Sequence, residues 1–368
     1  MEIIHLILGK ANPERMNGVN KVVYQMATQQ AKFGKKVAVW GITKELTVNF
    51  KERNFETKLF SAHKNPFKID EQLKKALLNL NKNTCIHLHG GWIPVYASIS
   101  KFLNKNKIPF VLTPHGAYNT IAMQRSKWAK AIYFQLFERN LLKNARKIHS
   151  IGDSELDGLN KIFPNKKSFL LPYGYELNQI TPIESKKSSN FIIGFVGRLD
   201  IYTKGLDLLL AAFHEFCKNK PNSILWIIGD GNELSALKSL TNKLEISNQT
   251  IFFGSKFGKE KDDLIAQMTV FAHPSRNEGL PASILEACGF GIPSIASKAT
   301  NITKFLKEFN AGIAVENENV PNLIAAFEFF YNLWNKNQLD MYGKNAQLMV
   351  QNAFNWEKII DQLDELYL

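Results

Sequence analysis

Cysteine is scarce in this chain of 368 residues: Cys85, Cys217 and Cys288 stand far apart and odd in number. They form no Cys-x-x-Cys pair, so they frame neither a disulfide scaffold nor a cysteine zinc site, and they read as buried reduced thiols of a cytoplasmic protein. Long apolar runs are missing too, and nothing approaches the ~18 residues that cross a bilayer. Residues 1–9 lack a basic leader and break at Gly9, so they read as a buried first strand and not as a signal peptide. Repeats of ~20–50 residues are absent, which excludes a solenoid. Acid is scarce in one half only. Residues 1–175 hold 28 Lys and Arg against 11 Asp and Glu, whereas residues 176–368 hold 18 against 22. The net charge of +13 therefore belongs wholly to the first half. That asymmetry calls for an anionic partner there: a membrane surface, a phosphorylated acceptor or nucleic acid.

What the chain has in abundance is alternation. Short apolar runs at residues 3–8, 37–40, 85–88, 110–112, 147–151 and 168–171 are separated by amphipathic stretches such as 19–33 and 69–80. Gly34 stands where the first of those helices should stop. A polar stretch, 176–190, follows the turn residues of 172–175 and reads as an interdomain linker. The alternation restarts at 191–196 and continues through 224–228, 250–253, 270–272, 294–296 and 312–315. Such a pattern predicts an α/β chain with two doubly wound, mostly parallel sheets. Ligands of these sheets bind outside the carboxyl ends of the strands, so the loops there are where chemistry is expected.

The richest of those loops runs from Pro274 to Ala287. A helix is predicted to begin at Pro281, a residue that suits the first helical position. Gly279 lets the backbone approach a ligand closely, and free N–H groups at the helix start suit a phosphate or a sugar hydroxyl. Ser283 and Glu286, three apart, share a helix face. Glu278 in the loop and Glu286 roughly 6–8 Å along the helix would grip two sets of hydroxyls, because ionised carboxylates only accept hydrogen bonds. Taken alone, two acids eight apart read better as a loop acid and a solvated helix acid than as a site. Their neighbours favour a site. Gly197-Arg198 ends a strand, and Lys204-Gly205 opens a predicted helix over 206–216. Arg198 offers a two-nitrogen fork to a diphosphate, and Lys204 adds a mobile point charge. Gly229-Asp230-Gly231 starts a dinucleotide fingerprint, but Leu234 occupies the third glycine's place. Gly254-Ser255 ends a strand whose backbone would border a base.

From Glu278 to Glu286 the chain reproduces a Glu-x7-Glu spacing. With Val196-Gly197-Arg198-Leu199, Lys204-Gly205, Gly229-Asp230-Gly231 and Gly254 in order ahead of it, the span 191–300 resembles the retaining GT-B glycosyltransferases. The nearest group is the glycogen synthase-like and sucrose synthase-like one, family 4-like, of the bacterial cell-surface polysaccharide type. The resemblance implies a GT-B fold, two Rossmann-like domains facing a central cleft. Residues 1–175 would hold the acceptor and 176–350 the nucleotide-sugar donor, with 351–368 returning as a helix to the first domain. It further implies that Arg198 and Lys204 bind the donor diphosphate and Glu286 the ribose. Glu278 would contact the donor sugar, with the backbone of Gly279 and Leu280 beside it. Transfer in that group keeps the anomeric configuration and needs no metal or other cofactor. The expected donor is a UDP-sugar first and a GDP-sugar second. The expected acceptor is a saccharide or lipid-linked sugar of lipopolysaccharide, capsule or exopolysaccharide, met at the inner face of the cytoplasmic membrane.

The first half matches the group more loosely. Met16-Asn17-Gly18-Val19 lies where such enzymes often carry two glycines. Asn17 tolerates left-handed angles, and Gly18 would let the diphosphate or acceptor come close to a helix start. His115, in the loop 113–118, corresponds to a histidine that touches the donor sugar in similar enzymes. His87 and His89 share a strand face, but no third ligand is evident, so no metal site is expected. An acceptor pocket is expected instead from His89, Tyr118 and Trp92, whose ring would stack on a sugar. Residues 127–134 mix bases and aromatics as interfacial helices do, but apolar periodicity reads the same way for both and a core-packed helix is the expectation. Among rivals, a GT-B epimerase or phosphorylase shares the fold, and the latter would need a pyridoxal-bearing lysine that nothing singles out. A Rossmann oxidoreductase would need a complete glycine fingerprint with an acid ~20 residues on, which neither half supplies. A nucleic-acid partner finds no recognition signature.

Overall fold

The computed structural model of the protein describes residues 1–12, 18–47, 52–124, 126–176 and 189–368. Asn17 and the linker stretch beyond Glu176 up to Ser188 lie outside the described residues. Two compact units emerge: Met1–Gly174 together with Trp356–Leu368, and Tyr175–Asn355.

The first unit is built on a seven-stranded sheet. Its strands are β1 (Glu2–Leu8), β2 (Lys36–Thr43), β3 (Glu56–Ser61), β4 (Thr84–His89), β5 (Phe110–Thr113), β6 (Ile148–Ser150) and β7 (Ser168–Leu170). They lie in the order β3-β2-β1-β4-β5-β6-β7, all parallel. Sheets covered on both faces bury their central strands, and β1 and β4 are buried almost end to end. Because strand side chains alternate, the two faces differ sharply. Ile4, Leu6, Ile86, Leu88, Leu112 and Ile148 enter one hydrophobic core. His5, His87, His89, Thr113 and His149 occupy the positions between them and are buried as well. β3 is absent from the predicted apolar runs. It is an edge strand whose positions alternate between exposed and half-buried up to Phe60, so it never shows a continuous apolar run.

The second unit holds β8 (Phe191–Val196), β9 (Ser223–Ile228), β10 (Thr250–Gly254), β11 (Val270–His273), β12 (Ser294–Ser297) and β13 (Gly312–Val315). Their order is β10-β9-β8-β11-β12-β13, again parallel. Ile193, Phe195, Leu225, Ile227 and Val270 pack under the helices Leu206–Cys217 and Val320–Asn335, where Phe213, Phe216, Phe327 and Phe330 are fully enclosed. Full burial of each such ring contributes about 1.5–3 kcal/mol. In each sheet the strand order reverses once, between β1 and β4 and between β8 and β11. Those reversal points open crevices at the strand carboxyl ends, the place where doubly wound sheets bind ligands.

Several predicted boundaries shift slightly. The first helix is Gly18–Lys32, and Gly34 ends it with a left-handed φ of 74°. Pro281 does not open its helix: it precedes Ala282–Gly289 in an extended conformation. Lys204 closes a short helix, Ile201–Lys204, and Gly205 then reverses the chain into Leu206–Cys217. No helix among the described residues is long and apolar enough to cross a membrane.

Candidate functional site

In the second unit the crevice between β8 and β11 gathers the charged residues. The loop after β11 is held at both ends by hydrogen bonds. Arg276 N–H donates to Thr203 O (2.9 Å), Glu278 N–H to Ala299 O (3.2 Å), and the Asn301 amide to the carbonyls of Glu278 (3.0 Å) and Gly279 (2.6 Å). On that loop the Glu278 carboxylate accepts from the Lys204 ammonium, from His273 Nε2 at 3.1 Å and from the Ser275 hydroxyl at 3.2 Å. Burial pushes this carboxyl up, but the Lys204 charge and the His273 hydrogen bond outweigh it and bring it down to about 2. His273 lies nearly parallel to Phe195 and to Phe271, with ring centroids 5.3 and 5.9 Å away, and burial holds it below the ordinary imidazole range. Lys204 reaches this loop because Gly205 adopts a φ of 65° and passes so near Pro274 O that a Cβ there would lie 2.2 Å from it.

The adjoining strand ends form one continuous rim. Gly197 N–H donates to Ile228 O (3.0 Å), Gly229 N–H to Gly254 O (2.9 Å) and Leu199 N–H to Asp230 O (3.0 Å). Gly229, at φ 144°, would carry a Cβ 1.8 Å from Gly197 O, so only glycine lets the two strand ends close up. Gly231 follows on this rim, and Ser255 beyond it is exposed. Arg198 projects from the rim with its side chain 62% exposed, tied only loosely to Asp200 at 3.3 Å. Along the helix Ala282–Gly289, Ser283 and Gly279 ahead of it are half-buried, while Leu280 and Glu286 are buried. Glu286 accepts from Lys261 at 2.7 Å, a partner that sequence reading missed because Lys261 sits in an unremarkable charged run.

Arg276, part of the same sequence motif, does different work. Its guanidinium forms a two-pronged bond to Asp207 (2.8 and 2.8 Å), reaches Glu318, and lies 4.6 Å over the Tyr202 ring. The hydrogen bonds with Asp207 push it above the usual arginine range despite burial. It fastens the β11 loop to the neighbouring helices.

In the first unit the structure corrects part of the expected acceptor pocket. His89 and Tyr118 are buried, so neither offers a surface to a sugar. The Tyr118 hydroxyl donates to Glu138, which also accepts from Trp92 N–H at 2.9 Å. Burial raises the Glu138 carboxyl against the pull of those two bonds. Trp92 is half-buried, its indole N–H donating to Ala117 O (3.0 Å) and its ring packed edge-on against Tyr118. His115 is half-buried with a left-handed φ of 56°. Its loop is steadied by Glu155, which collects the N–H groups of Gly116, Ala117, Tyr118 and Ile151 yet is pushed up by burial to about 7. Gly18 begins its helix at the exposed end. The core-packed reading of residues 127–134 is also corrected: the helix Lys127–Tyr133 buries no residue, and burial starts at Phe134.

The fold supplies the third ligand that sequence spacing lacked. His5 from β1 joins His87 and His89, with ring nitrogens within 4.8 Å of one another. All six of those nitrogens are engaged already. His5 meets Gln30 (2.6 Å) and His89 (2.8 Å), His89 meets His115 (2.9 Å), and His87 meets Tyr367 (2.9 Å) and Thr113 (2.6 Å). A metal ion here would have to break that network.

Sequence comparison agrees with the geometry. Residues 178–349 match the family Glycosyl transferases group 1, and residues 16–179 match Glycosyltransferase Family 4. The chain is 24% identical over 307 residues to the UDP-Gal:alpha-D-GlcNAc-diphosphoundecaprenol alpha-1,3-galactosyltransferase of Escherichia coli, covering 79% of this chain and 77% of that enzyme. Among solved structures it is similar to sucrose-phosphate synthase from Thermosynechococcus elongatus, with a TM-score of 0.79 and 20% identity over 100% of this chain and 98% of that one. HepE of Anabaena, solved with UDP-glucose, gives a TM-score of 0.75 and 14% identity, with 99% of both chains covered. Two doubly wound sheets and two family matches that together span residues 16–349 lead to one conclusion: the chain belongs to the GT-B glycosyltransferases of the family 4-like group.

Proposed function

We propose that the protein moves a hexose from a nucleoside-diphosphate sugar, a UDP-sugar first and a GDP-sugar second, to a saccharide or lipid-linked acceptor of a cell-surface glycan. Transfer retains the anomeric configuration and needs no bound metal. The observation that carries this reading is the meeting of Lys204 with the half-buried Glu278 at the reversal point of the second sheet. Lys204 is positioned for a diphosphate, and Arg198, only loosely tied, is free to swing onto it. Glu286 lies one helix turn further and accepts the ribose hydroxyls, while Glu278 and the loop backbone at Gly279 and Leu280 take the sugar hydroxyls. As the sugar–phosphate bond breaks, negative charge grows on the leaving diphosphate, and Lys204, Arg198 and the N-terminus of Ala282–Gly289 stabilise it. The acceptor oxygen bonds to the same face of the anomeric carbon, and its proton passes to the departing phosphate oxygen. The E. coli relative named for a UDP-galactose donor and a diphosphoundecaprenol acceptor supports the choice of substrates.

Release of nucleoside diphosphate from a panel of nucleotide sugars tests this directly. UDP or GDP at about 100 times its Kd should stabilise the protein by about 2.7 kcal/mol. A melting shift with NAD alone would overturn the reading in favour of an oxidoreductase.

The basic first half gives the acceptor side its surface. Residues 101–150 hold ten Lys and Arg and a single acid, Glu138, which is buried. The same stretch exposes Trp128 (83%), Ile132 (63%) and Leu136 (57%), spaced four apart. Bases around an exposed apolar row suit an anionic lipid surface. The protein should float with phosphatidylglycerol vesicles, less so as salt rises, and a Trp128→Ser/Ile132→Ser variant should lose at least tenfold in binding. Equal flotation with purely zwitterionic vesicles would refute the electrostatic part.

A further inference from the structure

The buried face of the first sheet carries one continuous hydrogen-bond chain, and its far end dictates the direction of every link. Leu171 O can only accept, so His149 donates to it from Nε2 (2.6 Å). His149 Nδ1 then accepts from the Thr113 hydroxyl (2.9 Å), and that hydroxyl, its proton given, accepts from His87 Nε2 (2.6 Å). His87 Nδ1 accepts from the Tyr367 hydroxyl (2.9 Å), which accepts from the Gln30 amide nitrogen (3.1 Å). Gln30 Oε1 accepts from His5 Nε2 (2.6 Å), His5 Nδ1 from His89 Nε2 (2.8 Å), and His89 Nδ1 from His115 Nε2 (2.9 Å). All five imidazoles are thereby neutral and carry their proton on Nε2. A second proton on His5 or His89 would set two N–H groups head to head, and one on His87 or His149 would face the hydroxyl proton of Tyr367 or Thr113. Burial independently holds all five low, His5 and His149 at about 4 and His115 at about 3.

The consequence falls on His115. It is the only ring of the five that is not fully buried, and among the described residues nothing donates to its Nδ1. Since Nε2 gives its proton inward, Nδ1 faces outward as an acceptor. Reversing His115 alone would set two acceptor nitrogens against each other, and reversing more of the chain only moves that defect along it. We propose that this chain is a positioning network for sugar transfer: Gln30, Tyr367 and the four buried histidines lock His115 as a neutral Nδ1 acceptor for a hydroxyl of the bound sugar. This rests on the reading of His115 as a donor-sugar contact and adds the residues that determine which hydrogen bond it makes. Tyr367 joins the two halves of the chain and comes from the last helix, Trp356–Tyr367.

Two-bond 15N–1H correlation spectra of the ligand-free protein at pH 7 distinguish both neutral tautomers and the imidazolium, and need no turnover. His5, His87, His89, His115 and His149 should all show the Nε2–H form. An Nδ1–H or imidazolium pattern at any of them would overturn the lock. Tyr367→Phe severs the chain, so His115, His89 and His5 should show mixed tautomers, and kcat should fall about tenfold with the acceptor KM changed less than twofold. Gln30→Leu, which cuts the same junction from another helix, should do likewise, and it replaces the first variant should that one not fold. Unmixed tautomers or a kcat within twofold of the parent in a folded variant would sink the proposal. Failure of every nucleotide sugar to release its diphosphate would instead strike the proposed function and leave the spectra unaffected.

Discussion

Lys204→Ala should lower kcat by about a hundred- to a thousandfold, the usual effect of deleting one preorganised charge at a developing anion. The ammonium meets the half-buried Glu278 in the ligand-free site and, on the proposed reading, also receives the diphosphate. Its removal also changes Glu278. Burial would then push that carboxyl up without the Lys204 charge to oppose it, although the hydrogen bonds from His273 and Ser275 remain. A carboxyl depressed from 4.5 to about 2 stabilises the folded state above pH 4.5, and that contribution disappears as pH falls through about 2. The variant should therefore be less stable than the parent at neutral pH, by about 1–2 kcal/mol once partial exposure is discounted, with the difference vanishing toward pH 2. Lys204→Arg keeps the charge but spreads it over a longer planar fork, so it should recover stability before turnover. Turnover of the alanine variant within tenfold of the parent would remove Lys204 from the phosphate site.

Gly205→Ala should disturb fold and reaction together. Gly205 sits at φ 65°, and a Cβ would lie 2.2 Å from Pro274 O, a backbone atom that moves only if the β11 loop moves. The left-handed conformation costs about 1 kcal/mol for a non-glycine residue. The forced backbone shift should raise the total to about 2–4 kcal/mol, or roughly 5–15 °C in the melting of the second unit. Because the shift separates Lys204 from Glu278, kcat should fall at least tenfold. Gly254→Ala is the control: it too has a left-handed φ, 69°, but nothing lies within 4 Å of its would-be Cβ. It should incur the conformational cost alone. If the two variants melted at the same temperature, the close approach at Pro274 would carry no weight.

The difference between these glycines was not legible in the sequence, where both simply follow strand or helix ends. What was legible follows from period and composition. Every predicted apolar run coincides with a strand, because parallel strands covered on both faces are largely buried. The edge strand Glu56–Ser61 escaped because one side of it meets water. The motifs around the second crevice were readable because each is local: strand end, turn and helix start lie within a few residues. The histidine chain was not, since it draws on residues from His5 to Tyr367 that only the fold brings together. His87 and His89 were visible as a pair, but their partner His5 lies 82 residues before His87 and becomes its neighbour through the pairing of β1 with β4. Burial was the other hidden quantity. Nothing local distinguishes Tyr118, which is enclosed, from an aromatic poised to meet a sugar.

The segment Phe134–Glu138 winds as a π-turn between the helices Lys127–Tyr133 and Arg139–Asn144. Such a turn holds one residue more than its α-helical counterpart, so it works as a one-letter insertion in the helical reading frame. Upstream of it Trp128 and Ile132 point to solvent, and downstream Leu141 and Leu142 point to the core, with Glu138 turned toward Trp92 and Tyr118. Relatives with a plain α-helix here would align only across a one-residue gap. Closing that gap in this chain would rotate one flank against the other by about 100°. Such a deletion, scarcely visible in composition, would uncouple the apolar row from the carboxylate that braces the loops behind it.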